Sequence, residues 1–132
     1  MTTKLTLFGI ALFYASFVFA QHNGPWVVPE SAKQIKNLYP PDEFSIARGK
    51  KSYKSECMRC HGKQGRGDGS SANKIEKAVS DLTSDYVQNQ TDGELFWKIS
   101  EGRKPMPLGK STLTDDQRWD IINYVRTFKK RQ

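Results

Sequence analysis

Cysteine, histidine and methionine are scarce in this chain of 132 residues, which has two cysteines, two histidines and three methionines. Two cysteines cannot build a disulfide framework. Cys57 and Cys60 stand three apart, and a bridge closing so small a ring removes little loop entropy from the unfolded chain. Structural zinc needs four ligands, and Cys57, Cys60, His61 and His22 are all there is to supply them. A thiol-disulfide redox pair belongs in a βαβ setting. Here no segment alternates as a strand, and no internal repeat is present. Long apolar runs are also missing: Leu5 to Phe19 is the one candidate, and at about 1.5 Å per residue it falls short of a bilayer core of roughly 30 Å.

That run fits an export signal instead. Lys4 precedes it, and Val18-Phe19-Ala20 has the small-x-small pattern of a cleavage site, so residues 1–20 are expected to be removed, leaving Gln21 first. No cysteine follows to carry a lipid, and no stable membrane span is expected after cleavage. The full chain carries 21 Lys and Arg against 14 Asp and Glu, and losing Lys4 leaves 20 against 14, or +6. The excess favours acidic or anionic partners. The remaining 112 residues are few for a large aliphatic core, so a covalent or metal staple would help.

Along the chain, residues 21–41 are rich in Pro, Gly, Asn and Lys and lack a period, which predicts an extended arm closed by Pro40-Pro41. Its Trp26-Val27-Val28 cluster is expected to pack on the domain surface. Residues 42–132 form the domain. Asp42 is a helix N-cap, with Phe44, Ala47 and Lys51 at helical spacing through Tyr53 towards Cys57. Gly49 inside this helix costs about 1 kcal/mol against Ala, which implies that another backbone comes close. Residues 62–69 hold four glycines and read as a loop; Gln64 after Lys63 and Ser70 in place of a third Gly rule out phosphate-binding motifs. Thr91 and Glu94, then Thr114 and Gln117, have the spacing of capping boxes. Each opens a helix. The first carries Leu95, Phe96 and Ile99 and stops at Gly102; the second carries Trp119, Ile122, Val125 and Phe128 and ends on basic residues 129–131.

Cys57-Met58-Arg59-Cys60-His61 has haem-attachment spacing. Each thiol can add to one vinyl group, and the adjacent imidazole is then held beneath the iron as proximal ligand. Nucleic acid is an unlikely partner class for an exported haem protein. Met58 lies between the cysteines, too close to the proximal side to cross the ring, and Met1 leaves with the leader. Met106, between Pro105 and Pro107, is therefore the candidate distal ligand. A thioether favours reduced iron and raises the potential. His22, second in the cleaved chain, is the rival and reads as solvated.

In the order and spacing of these signals, from Asp42 to Lys129, the sequence resembles class I cytochrome c. The resemblance rests on Gly49 and Tyr53 before Cys57-x-x-Cys60-His61-Gly62, then Leu95 to Gly102, Met106-Pro107 and the Tyr124-containing terminal helix. It implies an all-α cytochrome c fold, with three to five helices around one covalently attached haem c. Gly49 would lie where the first and last helices cross, against Tyr124. One departure is Ser80-Asp81-Leu82, where many members carry Pro before a similar Asp-Leu. The expected function is exported, periplasmic single-electron transfer, as a soluble shuttle or a small carrier subunit of a respiratory complex, and not catalysis. The alternative is a haem enzyme or ligand sensor in which Met106 gives way to peroxide or a diatomic gas. The basic residues Lys50, Lys51, Lys54, Lys63, Arg66, Arg103, Lys104 and Lys110 suggest a redox partner with an acidic docking face.

Overall fold

The computed structural model describes residues 25–129, so the expected export signal, its expected cleavage point and His22 lie outside the described residues. Among the described residues six α-helices follow one another: α1 Glu30–Lys33, α2 Glu43–Glu56, α3 Met58–His61, α4 Asp85–Gln88, α5 Asp92–Glu101 and α6 Asp115–Arg126. Three of them, α1, α3 and α4, are single four-residue turns, and short 3₁₀ turns occur at Ala72–Lys74 and Gly109–Ser111. Among the described residues there is no strand, only an isolated bridge between Arg103 and Met106. The architecture is the all-α one expected.

Local chemistry places the long helices where the sequence puts them. The Asp42 carboxylate accepts from the Ser45 N–H at 2.7 Å and opens α2. Thr91 and Glu94 form a reciprocal capping box at the start of α5, and Thr114 and Gln117 do the same for α6. Each satisfies two amides that a helix start leaves without partners. Gly102, at φ 59°, terminates α5 in a conformation that other residues rarely adopt.

α2 crosses α6 at Gly49. A β-carbon there would lie 1.9 Å from the Asp120 carbonyl oxygen and 3.0 Å from Tyr124 Cβ, so only glycine lets the backbones meet. Buried polar groups fix the crossing on one side. Asp120, 3% exposed, accepts from Ser45 Oγ at 2.7 Å and from Arg48 Nε at 2.7 Å. Its charge is thus compensated where burial would otherwise be costly. On the other side, Tyr53, Ile121 and Val125 form a core cluster, with Tyr124 and Phe128 edge-on to Tyr53 at 5.3 and 5.4 Å. A second cluster joins Val87, Leu95, Trp119 and Ile122, and Phe96 stacks on Trp119 at 4.0 Å.

The arm differs from the expected extended segment in having one helical turn, α1, and in burying Val28 and Ala32. Pro29 sets φ at −56° just before the turn. The turn then docks on α5 where Gly93 has no side chain: a β-carbon there would lie 2.1 Å from the Ala32 carbonyl oxygen. Further along, Asn37 donates to Asn123 at 2.8 Å and the Tyr39 hydroxyl donates to Asp116 at 2.6 Å. The arm is part of the domain's packing.

Gly49→Ala is expected to lower the unfolding free energy by roughly 2–3 kcal/mol, the cost of overpacking a tight contact. Guanidinium unfolding followed by far-ultraviolet circular dichroism measures it. An unchanged midpoint would mean that α2 and α6 do not depend on this approach.

Candidate functional site

Cys57, Cys60 and His61 occupy a single tight turn. α2 ends at Glu56, and Cys57 is both its C-cap and the N-cap of α3, with the Cys60 and His61 amides donating to the Cys57 carbonyl at 3.2 and 2.9 Å. Gly62, at φ 83°, stops the helix. The glycine-rich loop then folds back over the turn and satisfies its carbonyls. Gly67 N–H donates to His61 O at 2.9 Å, Gly69 N–H to Cys60 O at 3.1 Å, and Ser71 N–H to Arg59 O at 2.9 Å. A β-carbon at Gly69 would lie 2.3 Å from Arg59 O, which explains why this loop is built without side chains where it touches the motif. Below the turn, the buried Tyr53 hydroxyl donates to Gly62 O at 2.8 Å.

The imidazole of His61 is oriented by a group the sequence left unidentified. Its Nδ1 lies 3.2 Å from the Ser80 carbonyl oxygen. A proton on Nδ1 would donate to that carbonyl and leave the Nε2 lone pair available to a metal. Burial holds this histidine below its usual pKa, with the Ser80 carbonyl acting in the opposite direction, so neutral imidazole is favoured. A backbone carbonyl serves here, so the interaction does not depend on the Ser80 side chain. Position in the chain was the sole available signal for it, because any residue type carries a carbonyl.

Two adjoining cavities, of about 170 and 310 Å³, flank the turn. Both are walled by Cys57, His61, Ser80, Ile99, Arg103, Met106 and Trp26, and Cys60 lines the smaller one. Ile75, Val79 and Leu113 also wall the smaller cavity, with Glu56, Lys77 and Lys104; Tyr53, Leu95, Ile121, Ile122 and Val125 also wall the larger, with Gln90 and Lys98. All four site residues expected from the sequence are therefore brought together. Met106 is presented by loop 102–109, where its N–H donates to Arg103 O at 2.9 Å. Gly102 admits Pro107 closely, since a β-carbon there would lie 2.3 Å from the Pro107 carbonyl oxygen.

These residues fit a flat apolar ring with a central metal. The walls of the larger cavity are mostly aliphatic and aromatic, while an imidazole nitrogen and a soft thioether supply two donors of the kind that bind haem iron. Two free thiols stand at the edge, and burial pushes the Cys57 thiol up to about 12, so it is protonated at neutral pH. A dedicated cation site does not fit: among the described residues no group of three or more His, Cys, Asp and Glu could hold a metal ion.

Trp26 also stands on the cavity walls, where surface packing was expected. Val28 beside it is buried and Val27 is exposed. Lys98 Nζ and the Arg103 guanidinium lie over the Trp26 ring at 5.6 and 5.1 Å, and the Trp97 ring meets it edge-on at 6.5 Å. Burial lowers the pKa of Lys98, an effect opposed by Glu94 and reinforced by Arg103.

Comparison with known proteins agrees with this geometry. The sequence model of the family described as Cytochrome c matches residues 46–129. Among solved structures, the chain is similar to one from the reducing HAO-like protein complex of Kuenenia stuttgartiensis, with 31% identity and a TM-score of 0.62. The match covers 80% of this chain and 53% of that one, so this chain spans about half the length of that neighbour. No curated protein matches.

Tyr53→Phe is expected to cost about 1 kcal/mol, by withdrawing a hydrogen bond from a buried carbonyl. The pH dependence gives a second readout. Burial raises the Tyr53 pKa well above its usual value near 10, so the folded state resists ionisation that the unfolded chain accepts. Stability from this group is full below pH 10 and declines as pH climbs beyond it. The Phe variant should therefore lose less stability than wild type between neutral pH and the alkaline range. Parallel pH curves for the two would count against a buried phenol.

Proposed function

The chain belongs to the cytochrome c family, and on that premise we propose an exported carrier of single electrons that holds one covalent haem c through Cys57 and Cys60, with His61 and Met106 as axial ligands. The observation that carries this reading is that an oriented imidazole and a thioether wall the same cavities beside two thiols on one turn. The haem, when bound, supplies a one-electron iron couple. His61 is oriented by Ser80, the Tyr53 hydroxyl and the glycine loop hold the motif turn, and Met106 is held by a short loop pinned at Gly102 and Gly109. The aliphatic walls exclude water and disfavour the more charged oxidised state.

A carrier role, as a shuttle or as a subunit of a larger redox assembly, is supported by the family and by a structural neighbour that belongs to a protein complex. Export to the periplasm rests on the leader's sequence. Among the described residues no helix is long and apolar enough to cross a membrane. Acid–acetone extraction should leave haem on the polypeptide, and Cys57→Ala or Cys60→Ala should weaken its retention. Met106→Ala should lose the near-infrared thioether-to-iron band, lower the potential and open the ferric iron to cyanide. A variant that keeps the band and the potential would assign the distal position elsewhere. Wild-type ferric protein that is high-spin or binds cyanide readily would favour the enzyme or sensor alternative.

The partner we propose presents an acidic face to exposed Lys63, Arg66 and Lys104, with exposed Leu108, from the same loop as Lys104, offering apolar contact. Lys110 contributes less than the sequence suggests, because it pairs with Glu101 at 2.7 Å. Steering by exposed charge weakens once the Debye length falls to about 10 Å at 0.1 M salt. Electron transfer to an acidic acceptor should slow as ionic strength rises, and Lys104→Glu should slow it further with the haem spectrum unchanged. A rate flat in salt would leave these cations as a solvated surface.

A further inference from the structure

Trp26 lies outside residues 46–129, which the family model matches, and yet it helps to wall both cavities together with Met106. Its placement is not incidental to the arm. Val28 and Ala32 are buried, the Ala32 backbone seats on Gly93, and Thr91 Oγ1 donates to Lys33 O at 3.1 Å. The anchored arm thus delivers a half-buried indole to the edge of the site. Arg103 stacks its guanidinium on that indole at 5.1 Å while its own carbonyl accepts the Met106 N–H at 2.9 Å. A single residue therefore links the ring to the loop that presents the thioether.

We propose that Trp26 is a positioning residue for the haem site: it closes the Met106 side of the cavity against water and, through Arg103, holds loop 102–109 so that the thioether stays on the iron. The proposal rests on the reading of Met106 as distal ligand. Two physical effects act in the same direction. An aromatic ring on the cavity wall removes a route for water and small ligands. Lys98 and Trp97 on α5 fix that ring, and its contact with Arg103 then favours the closed loop over an open one. Loss of the ring should raise the population of open, ligand-accessible molecules without removing any iron ligand.

The test uses ferric holoprotein of the full chain, with imidazole as the probe, and compares wild type with Trp26→Ala, Trp26→Phe, Met106→Ala and Thr114→Ala. Thr114→Ala removes the α6 cap at a residue that lines neither cavity, so it controls for general loss of stability. Trp26→Ala is expected to bind imidazole about tenfold faster than wild type, the scale that losing a partly desolvated cation–π contact supports. It should also have a lower potential and keep a weakened near-infrared band. Trp26→Phe, with a smaller ring that holds cations less well, should fall between Ala and wild type. It also carries the test if the Ala variant fails to fold. Thr114→Ala should bind imidazole at the wild-type rate. Wild-type rates and potential in both Trp26 variants, or equal acceleration in Thr114→Ala, would overturn the proposal while the wild-type band leaves the Met106 reading standing. A wild-type protein without the band, unaffected by Met106→Ala, would overturn both.

Discussion

The approach of two backbones at Gly49 is the constraint from which the site's geometry follows. With 1.9 Å between a would-be β-carbon and the Asp120 carbonyl oxygen, α2 cannot move away from α6 without losing the contact or towards it at all. Glycine costs helix stability at this position, and the interhelical contact offsets that cost. α2 runs without interruption from this crossing to Cys57, so the position of the motif turn is set two turns away by the crossing. The compensated Asp120 carboxylate resists sliding of the two helices, because a shift would strand its charge away from Arg48 and Ser45.

At the other end of α2 the same problem is solved in the opposite manner. A four-residue helix leaves most of its carbonyls without helical partners, and a turn that must present two thiols and an imidazole cannot use its own side chains to satisfy them. The glycine loop does so with backbone amides from Gly67, Gly69 and Ser71. The loop that looks featureless in the sequence is therefore a hydrogen-bonding sleeve. Its lack of side chains is what allows it to lie within contact distance of the motif.

What the sequence revealed and what it concealed divide along a physical line. Side-chain chemistry was legible: the caps at Asp42, Thr91 and Thr114, the thiol and imidazole spacing, the isolated methionine and the glycine at the crossing all act through residue type. Backbone acceptors were not, which is why Ser80 went unassigned. Docking on a distant glycine was also hidden, because α1 forms where Gly93, some sixty residues later, leaves room for it. Where Trp26 packs was hidden for a related reason. An aromatic in a polar arm reveals that it will pack, but its neighbours Lys98 and Arg103 come from α5 and the loop after it. Lys110 counted as free charge until its pairing with Glu101 was known.

The cavity walls and the hydrophobic core are largely the same residues. Val87, Leu95 and Ile122 from one core cluster, and Tyr53, Ile121 and Val125 from the other, all line the larger cavity. The two clusters share Leu82 and Ile99 as packing neighbours and both face the cavity that His61 and Met106 also line. A group filling that space would be packed against by both clusters, which is how a chain of this size can hold a stable core. It follows that stability and redox tuning are coupled here. Any change that loosens these walls lets water into the space between them as well as weakening the fold, whereas the α6 cap at Thr114 is a residue that lines neither cavity.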